Sequence, residues 1–346
     1  MLDLDFTPGT PAWQIRALIA RQGYGTHVNQ RVAKLLLAVW QELAAEIALL
    51  PDAGTRKAMA LRSLQLNAER LIDEAYAQAA STTRAMLGDY ATIEAKAARA
   101  QTIAMVAGTP SRLQVINAAR LVPIVDAIEI AGTPFQAWWK DTAVKALKSY
   151  EQTVGIGIVR GEGPATIARR VMRASVQAGD GSIAAMTRAG INMAVPTSLT
   201  AVQSEAALSE FAQFGDAVAG VVFDAILDVR TSAICRAYDN TEWKLTDAKL
   251  PKPPLHPNCR SSLTPIPSFN GTPIEGLPVA GPKRQRYDGW LRDQDTRTVQ
   301  AVLGTKAGNA FLKGDVTLAQ LVGANTKPIN AAQLEALLTN VPAATP

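Results

Sequence analysis

The 346-residue chain holds two cysteines and two histidines, and one of each falls in a single proline-rich stretch. Cys235 sits in DVRTSAICRAYDN, while His256 and Cys259 lie three residues apart in PPLHPNCRSSLTPI. Two thiolates and an imidazole suit a borderline-soft cation such as zinc. A tight turn across His-x-x-Cys can aim both of its side chains at one centre. The pattern leaves the fourth ligand open, so Asp228, Asp239 or a water would have to serve. Cys235 also has no thiol partner at the Cys-x-x-Cys spacing, because Ser232 stands three residues before it.

Two other readings stay open beside zinc. In the first, Asp228 and Arg230 flank a strand end, and Thr231 and Ser232 cap local backbone groups. His256, wedged among Pro253, Pro254 and Pro257, then donates to a backbone carbonyl, and Cys235 and Cys259 act as small buried hydrophobes. In the second, the two cysteines form a disulfide, which a reducing cytoplasm disfavours.

Catalysis finds less support. His256 and Cys259 are too close in sequence to face one substrate easily, and nothing marks an oxyanion hole. The chain contains no Walker loop, no GxGxxG and no HExxH. GIGIVRGEG has glycines at the wrong spacing for a phosphate cradle and reads as a turn. Asp293 and Asp295 lie at a charged helix start, where solvation explains them. No catalytic residue is assigned, and an enzyme is not expected.

Composition bounds what can surround these residues. Apolar residues make up 48% and aromatics only 5%, which favours a sizeable core of helices packed through small side chains. The opening MLDLDFTPGT has neither the basic nor the apolar region of a signal peptide. No run of about 18 uncharged apolar residues suggests a membrane span. A soluble protein made in a reducing cytoplasm, with no membrane partner, is expected. Net charge is +5, but residues 249–313 hold ten Lys and Arg against four acids, leaving −1 for the remainder. Such a one-ended basic segment is either a solvated loop or a surface for a polyanion or acidic protein.

The elements that would position the site follow from periodicity. Val32, Leu36, Trp40, Leu43, Ile47 and Leu50 recur at helical spacing, predicting a helix over 29–50 that Pro51 stops. From Gly54 to Gly108 the chain is free of proline, predicting one long helix, or two joined near Gly88, packed antiparallel on the first. Thr133-Pro134 reads as a cap and first helical residue for a helix through Tyr150, and Gly163-Pro164 opens the next by the same device. Further helices are predicted over 182–194 and 197–213, broken by Pro196. Val218 to Leu227 reads as a strand, followed by a turn at Tyr238–Thr241 and a short strand over Trp243–Leu245. Residues 251–282 read as irregular, and a small C-terminal module carries YDGWLRDQ and a helix over 331–338. The expected class is α+β, mainly α: a long N-terminal helical hairpin or bundle over 1–130, a helical middle region over 131–217, a loop-stapled domain with a β-hairpin over 218–282, and a basic module over 283–346.

The two segments DAILDVRTSAICRAYDN and PPLHPNCRSSLTPI together resemble the phage head morphogenesis family, the Mu F-like minor head proteins of tailed bacteriophages. The resemblance rests on Asp228, Arg230, Thr231, Cys235, Asp239, Pro253, Pro254, His256, Pro257, Cys259 and Arg260. More loosely it covers residues 110–340, including FQAWWKDTAVKAL, IARRVM and the YDGWLRDQ tail. Three positions depart from it: Ser232 and Ser261 stand where many members carry cysteine, and Asn240 replaces the glycine of an Asp-Gly turn. The resemblance implies a structural minor head protein present in several copies per virion, near the portal vertex, acting in head assembly, DNA packaging or genome ejection. The portal protein, the major capsid protein and packaged double-stranded DNA would be its partners, with Lys283, Arg284 and Arg286 as candidate DNA contacts. Its location would be the virion head, and the host cytoplasm during assembly. The competing reading is a zinc-binding module that contacts nucleic acid, or a toxin-like enzyme built on the C-terminal half around His256 or Cys259.

Overall fold

A computed structural model describes residues 11–51, 55–106, 118–172, 183–269, 272–273, 285–323 and 327–339. The chain divides into two compact units, one of Leu18–Thr92 with Ala118–Val202, the other of Met1–Ala17, Ile93–Asn117 and Gln203–Pro346.

The first unit is built from helices. α1 (Pro11–Ala48) begins well before the predicted start, and Val28, Val32, Leu36, Trp40, Leu43 and Ile47 form its buried stripe. α2 (Thr55–Met105) runs unbroken through Gly88. Its order of contacts with α1 is reversed, as an antiparallel pair requires: Asn67 donates to Glu46, while Tyr24 donates to the Met86 carbonyl. α3 (Ala118–Ala127) leads into the two-residue strands β1 (Glu129–Ile130) and β2 (Thr133–Pro134), which pair antiparallel. Thr133 and Pro134 are therefore strand residues. α4 starts only at Phe135, with no side-chain cap, and continues past Tyr150 to Val159.

α5 (Pro164–Met172) does begin on its proline. α6 (Ile183–Phe211) corrects the expected break, because Pro196 lies inside one continuous helix. Proline removes one helical hydrogen bond, to the carbonyl of Asn192, and Asn192 is exposed, so water can satisfy that group. The flanking Ala194, Val195, Thr197 and Ser198 are buried, so packing holds the helix together.

The core of this unit converges on one polar atom. The Trp40 indole N–H donates to Thr187 Oγ1 at 3.0 Å, and the Tyr76 hydroxyl lies 3.4 Å from the same oxygen. Trp40 stacks on Tyr150, and Tyr76 meets Trp139 edge-on. Residues of α1, α2, α4 and α6 thus share one aromatic centre.

In the second unit a 3₁₀ turn (Ala212–Ala217) leads into β3 (Val218–Asp224). A short helix, α7 (Ala233–Tyr238), separates it from β4 (Glu242–Trp243). The sheet order is β4-β3-β5-β6, all antiparallel, with β5 at Ser262–Phe269 and β6 at Thr272–Pro273. β5 falls inside the stretch expected to be irregular, since SLTPIPSF carries two prolines. Pro265 and Pro267 are two residues apart, so their missing N–H groups fall on one side of the strand, and the intervening residues keep the ladder to β3. Gly220 marks a register shift in β3. A Cβ there would lie 2.2 Å from the Trp243 carbonyl oxygen, so only glycine lets β4 approach this closely.

The C-terminal part adds α8 (Tyr287–Arg292), α9 (Thr296–Leu303), α10 (Thr305–Lys313) and α11 (Ala331–Thr339). Asp295 caps α9 by accepting from the Thr298 N–H. Gly314, left-handed at φ 88°, closes α10, and the Asp315 N–H reaches back to the Ala310 carbonyl. Tyr287, Leu291, Val299, Phe311, Val316 and Leu321 form the centre of this cluster. Among the described residues no helix is long and apolar enough to cross a membrane.

Candidate functional site

The signature residues meet at the end of β3. Asp228 is the hub: Arg260 grips its carboxylate with two bonds of 2.7 Å each. The Arg230 N–H donates to the same carboxylate at 2.9 Å and the Thr231 hydroxyl at 3.2 Å. The Arg260 guanidinium holds the Asp228 carboxyl below the usual carboxylate range, the hydrogen bonds outweighing partial burial. Thr231 also donates to the Ile226 carbonyl, closing the loop on itself. The Asp-x-Arg-Thr pattern is thus a turn whose aspartate also captures an arginine from the proline-rich loop. The Arg230 side chain itself is exposed.

Asp239 does the same at the far end of α7. Its carboxylate accepts from the Ala225 N–H at 2.9 Å and the Tyr287 N–H at 2.7 Å. Asn240 takes φ 60°, as the Asp-Asn turn requires, and its N–H donates to the Phe223 carbonyl.

Tyr287 is the residue sequence reasoning missed. It is fully buried, and its hydroxyl donates to the Asp228 carbonyl at 2.7 Å. One tyrosine therefore joins both signature aspartates, and burial raises its pKa. Arg236, over the same ring, donates to the Val302 carbonyl. Only the position of Tyr287 at the head of YDGWLRDQ could have hinted at this.

The Pro253–Pro254 bond is cis, and the loop then folds over His256–Cys259. The Cys259 N–H donates to the His256 carbonyl at 3.1 Å, with Pro257 second in the turn and Asn258 third at φ 58°. A proline followed by a residue of positive φ is the chemistry of a type II turn. That turn brings His256 and Cys259 to one centre, the arrangement a tight turn across His-x-x-Cys permits.

Cys235 meets them from α7, whose N-cap is Ser232. Its sulfur lies 3.2 Å from His256 Nε2 and 3.7 Å from the Cys259 sulfur, and both cysteines are buried free thiols. All three ligand atoms lie within 4.8 Å of one another. His256 Nδ1 lies 2.8 Å from the Pro257 carbonyl oxygen. A hydrogen bond to that oxygen places the proton on Nδ1 and leaves Nε2 to face the sulfurs. The thiols share one easily lost proton: the Cys235 hydrogen bond brings Cys259 down to about 4, while Cys235 is pushed up by that same neighbour and by burial. The Cys259 hydrogen bond in turn raises the pKa of His256.

Asp228 and Asp239, the carboxylates considered as a fourth ligand, are engaged elsewhere. The hydroxyls of Ser232 and Ser261 reach Cys235 instead, and a cavity of about 10 Å³ opens beside Cys235, His256, Ser232 and Ser261.

The basic segment looks different in three dimensions. Arg260 is held by Asp228, Lys252 pairs with Glu205, Lys306 pairs with Glu335, and Arg292 donates to the Phe311 carbonyl. Arg286 is exposed, whereas Lys283 and Arg284 lie outside the described residues.

Residues 148–264 match the model of the family described as phage Mu protein F like protein. This segment is similar to the Mu F-like family. It runs from α4 into β5 and contains every signature residue from Asp228 to Arg260. The match covers about a third of the chain. Neither a curated protein nor a solved structure matches the chain.

Proposed function

We propose that this protein is a structural minor head protein of a tailed phage, seated near the portal vertex in several copies and acting in head assembly, DNA packaging or genome ejection. The observation that carries the reading is that the Mu F-like segment contains a set of signature residues, from Asp228 to Arg260, that bond to one another. Asp228, Arg260, Asp239 and Tyr287 are spent on holding loops and helices in register, which is the use a scaffold makes of polar groups. Portal and major capsid proteins are the proposed partners.

Contact with packaged DNA would be electrostatic and blind to sequence. It rests on Lys283, Arg284 and Arg286, because several neighbouring cations already have partners. Co-expression with the phage's portal and capsid proteins tests the main reading: the protein should co-sediment with portal or heads, and its absence from both would sink it. Reversing Lys283, Arg284 and Arg286 to glutamate should weaken DNA retention more at low salt than at high salt. Equal loss at both would exclude electrostatic contact.

A further inference from the structure

We propose that Cys235, His256 and Cys259 bind one zinc ion, with the fourth position taken by a water or hydroxyl oxygen beside Ser232 and Ser261. The metal cross-links the start of α7 to the proline-rich loop. Three observations support this. First, the three donor atoms already lie within 4.8 Å of one another. Two thiolates on a tetrahedral zinc, each at about 2.3 Å, stand about 3.8 Å apart; the sulfurs here are 3.7 Å apart, with His256 Nε2 at 3.2 Å from Cys235.

Second, the imidazole is already oriented. With Nδ1 against the Pro257 carbonyl, the Nε2 lone pair points at the sulfurs, the outer support that metal-bound histidines ordinarily have. Third, a place for the remaining donor exists. The cavity of about 10 Å³ has polar walls in Ser232 and Ser261 and the volume for roughly one water. Sulfur and nitrogen donors select zinc over hard cations such as calcium or magnesium. Asp228 and Asp239 are bound to Arg260 and to backbone N–H groups, so an oxygen-rich site cannot form here.

The test uses the untagged full chain. Elemental analysis of protein purified without chelator should give about one zinc per chain. Cobalt(II) added to stripped protein should produce thiolate-to-cobalt charge transfer and tetrahedral visible bands. Because the chain has only two cysteines, thiol counting reads this site alone: zinc should slow alkylation at least ten-fold, and chelator should restore the rate.

Metal-free protein that shows no cobalt bands, or alkylation indifferent to zinc, would overturn the proposal. Cys235→Ser and His256→Ala should each abolish the cobalt spectrum. Should these fail to fold, the alkylation result on the native chain still decides. Ser261→Cys tests the fourth position, since a third thiolate there should improve zinc retention against chelator at least ten-fold. An unchanged competition curve would overturn that placement. These readouts concern the metal alone and are independent of whether the protein binds a portal.

Discussion

The helical unit and the signature unit are specified by different physics. In the first, long helices present buried stripes, alanine lets them pack closely, and Thr187 gathers the indole of Trp40 and the hydroxyl of Tyr76. In the second, the helices and strands around the signature are short, and side chains hold the loops between them in place. Asp228 and Asp239 together accept from two side chains and three backbone N–H groups. A fold written in apolar pattern tolerates changes that conserve shape, whereas one written in a polar network tolerates changes that conserve donors and acceptors.

The most severe break of the helical unit is Trp40→Ala. It empties the aromatic centre and should cost about 4 kcal/mol. Hydrogen exchange should rise in α1 and in α4, while β3 and β5 keep their protection. Equal loss in both units would contradict their separate specification. Leu36→Met in the same stripe should cost under about 1.5 kcal/mol, because volume is kept.

Gly220→Ala is next, at about 2 kcal/mol in urea denaturation, since a Cβ cannot fit against the Trp243 carbonyl. Asp228→Asn follows at about 1–2 kcal/mol, although shape is unchanged. The pair is a third exposed at Asp228, which limits its worth. The sign with pH is fixed by the depressed pKa of Asp228. Its contribution is complete above about pH 4, the unfolded value, and is lost as pH falls through the lower folded value. An acid-unfolding midpoint identical in Asp228→Asn and the parent would show that the pair does not stabilise the fold.

Legibility followed the same divide. The α1 stripe, the proline start of α5 and the Asn240 turn were readable because local chemistry alone decides them. Pro196 was misread because burial of its neighbours outweighs the lost hydrogen bond, a tertiary effect with no local signal. SLTPIPSF was misread because its two prolines disguise a strand that still pairs along its length with β3. Thr133-Pro134 carried a capping signal that β1 overrode by pairing. At the site, Cys235, His256 and Cys259 were legible from residue type and spacing and Arg260 through a family pattern, but Tyr287 lies 59 residues from Asp228 in the chain, and spacing could not connect them.

Ser232→Ala is the smallest and most discriminating change. Ser232 caps α7 by accepting from the Cys235 N–H at 3.4 Å, and its hydroxyl also reaches the Cys235 sulfur. Losing a cap costs about 1 kcal/mol. Ser232→Asp separates the two roles, because aspartate caps as well as serine but donates nothing to a thiolate and brings a negative charge beside it. If capping dominates, urea denaturation should find the aspartate variant near the parent and the alanine variant about 1 kcal/mol below. If contact with the sulfur dominates, both variants should fall, and aspartate should fall further. The first outcome makes α7 an ordinary capped helix inside a polar network. The second makes even its cap part of the cysteine–histidine centre.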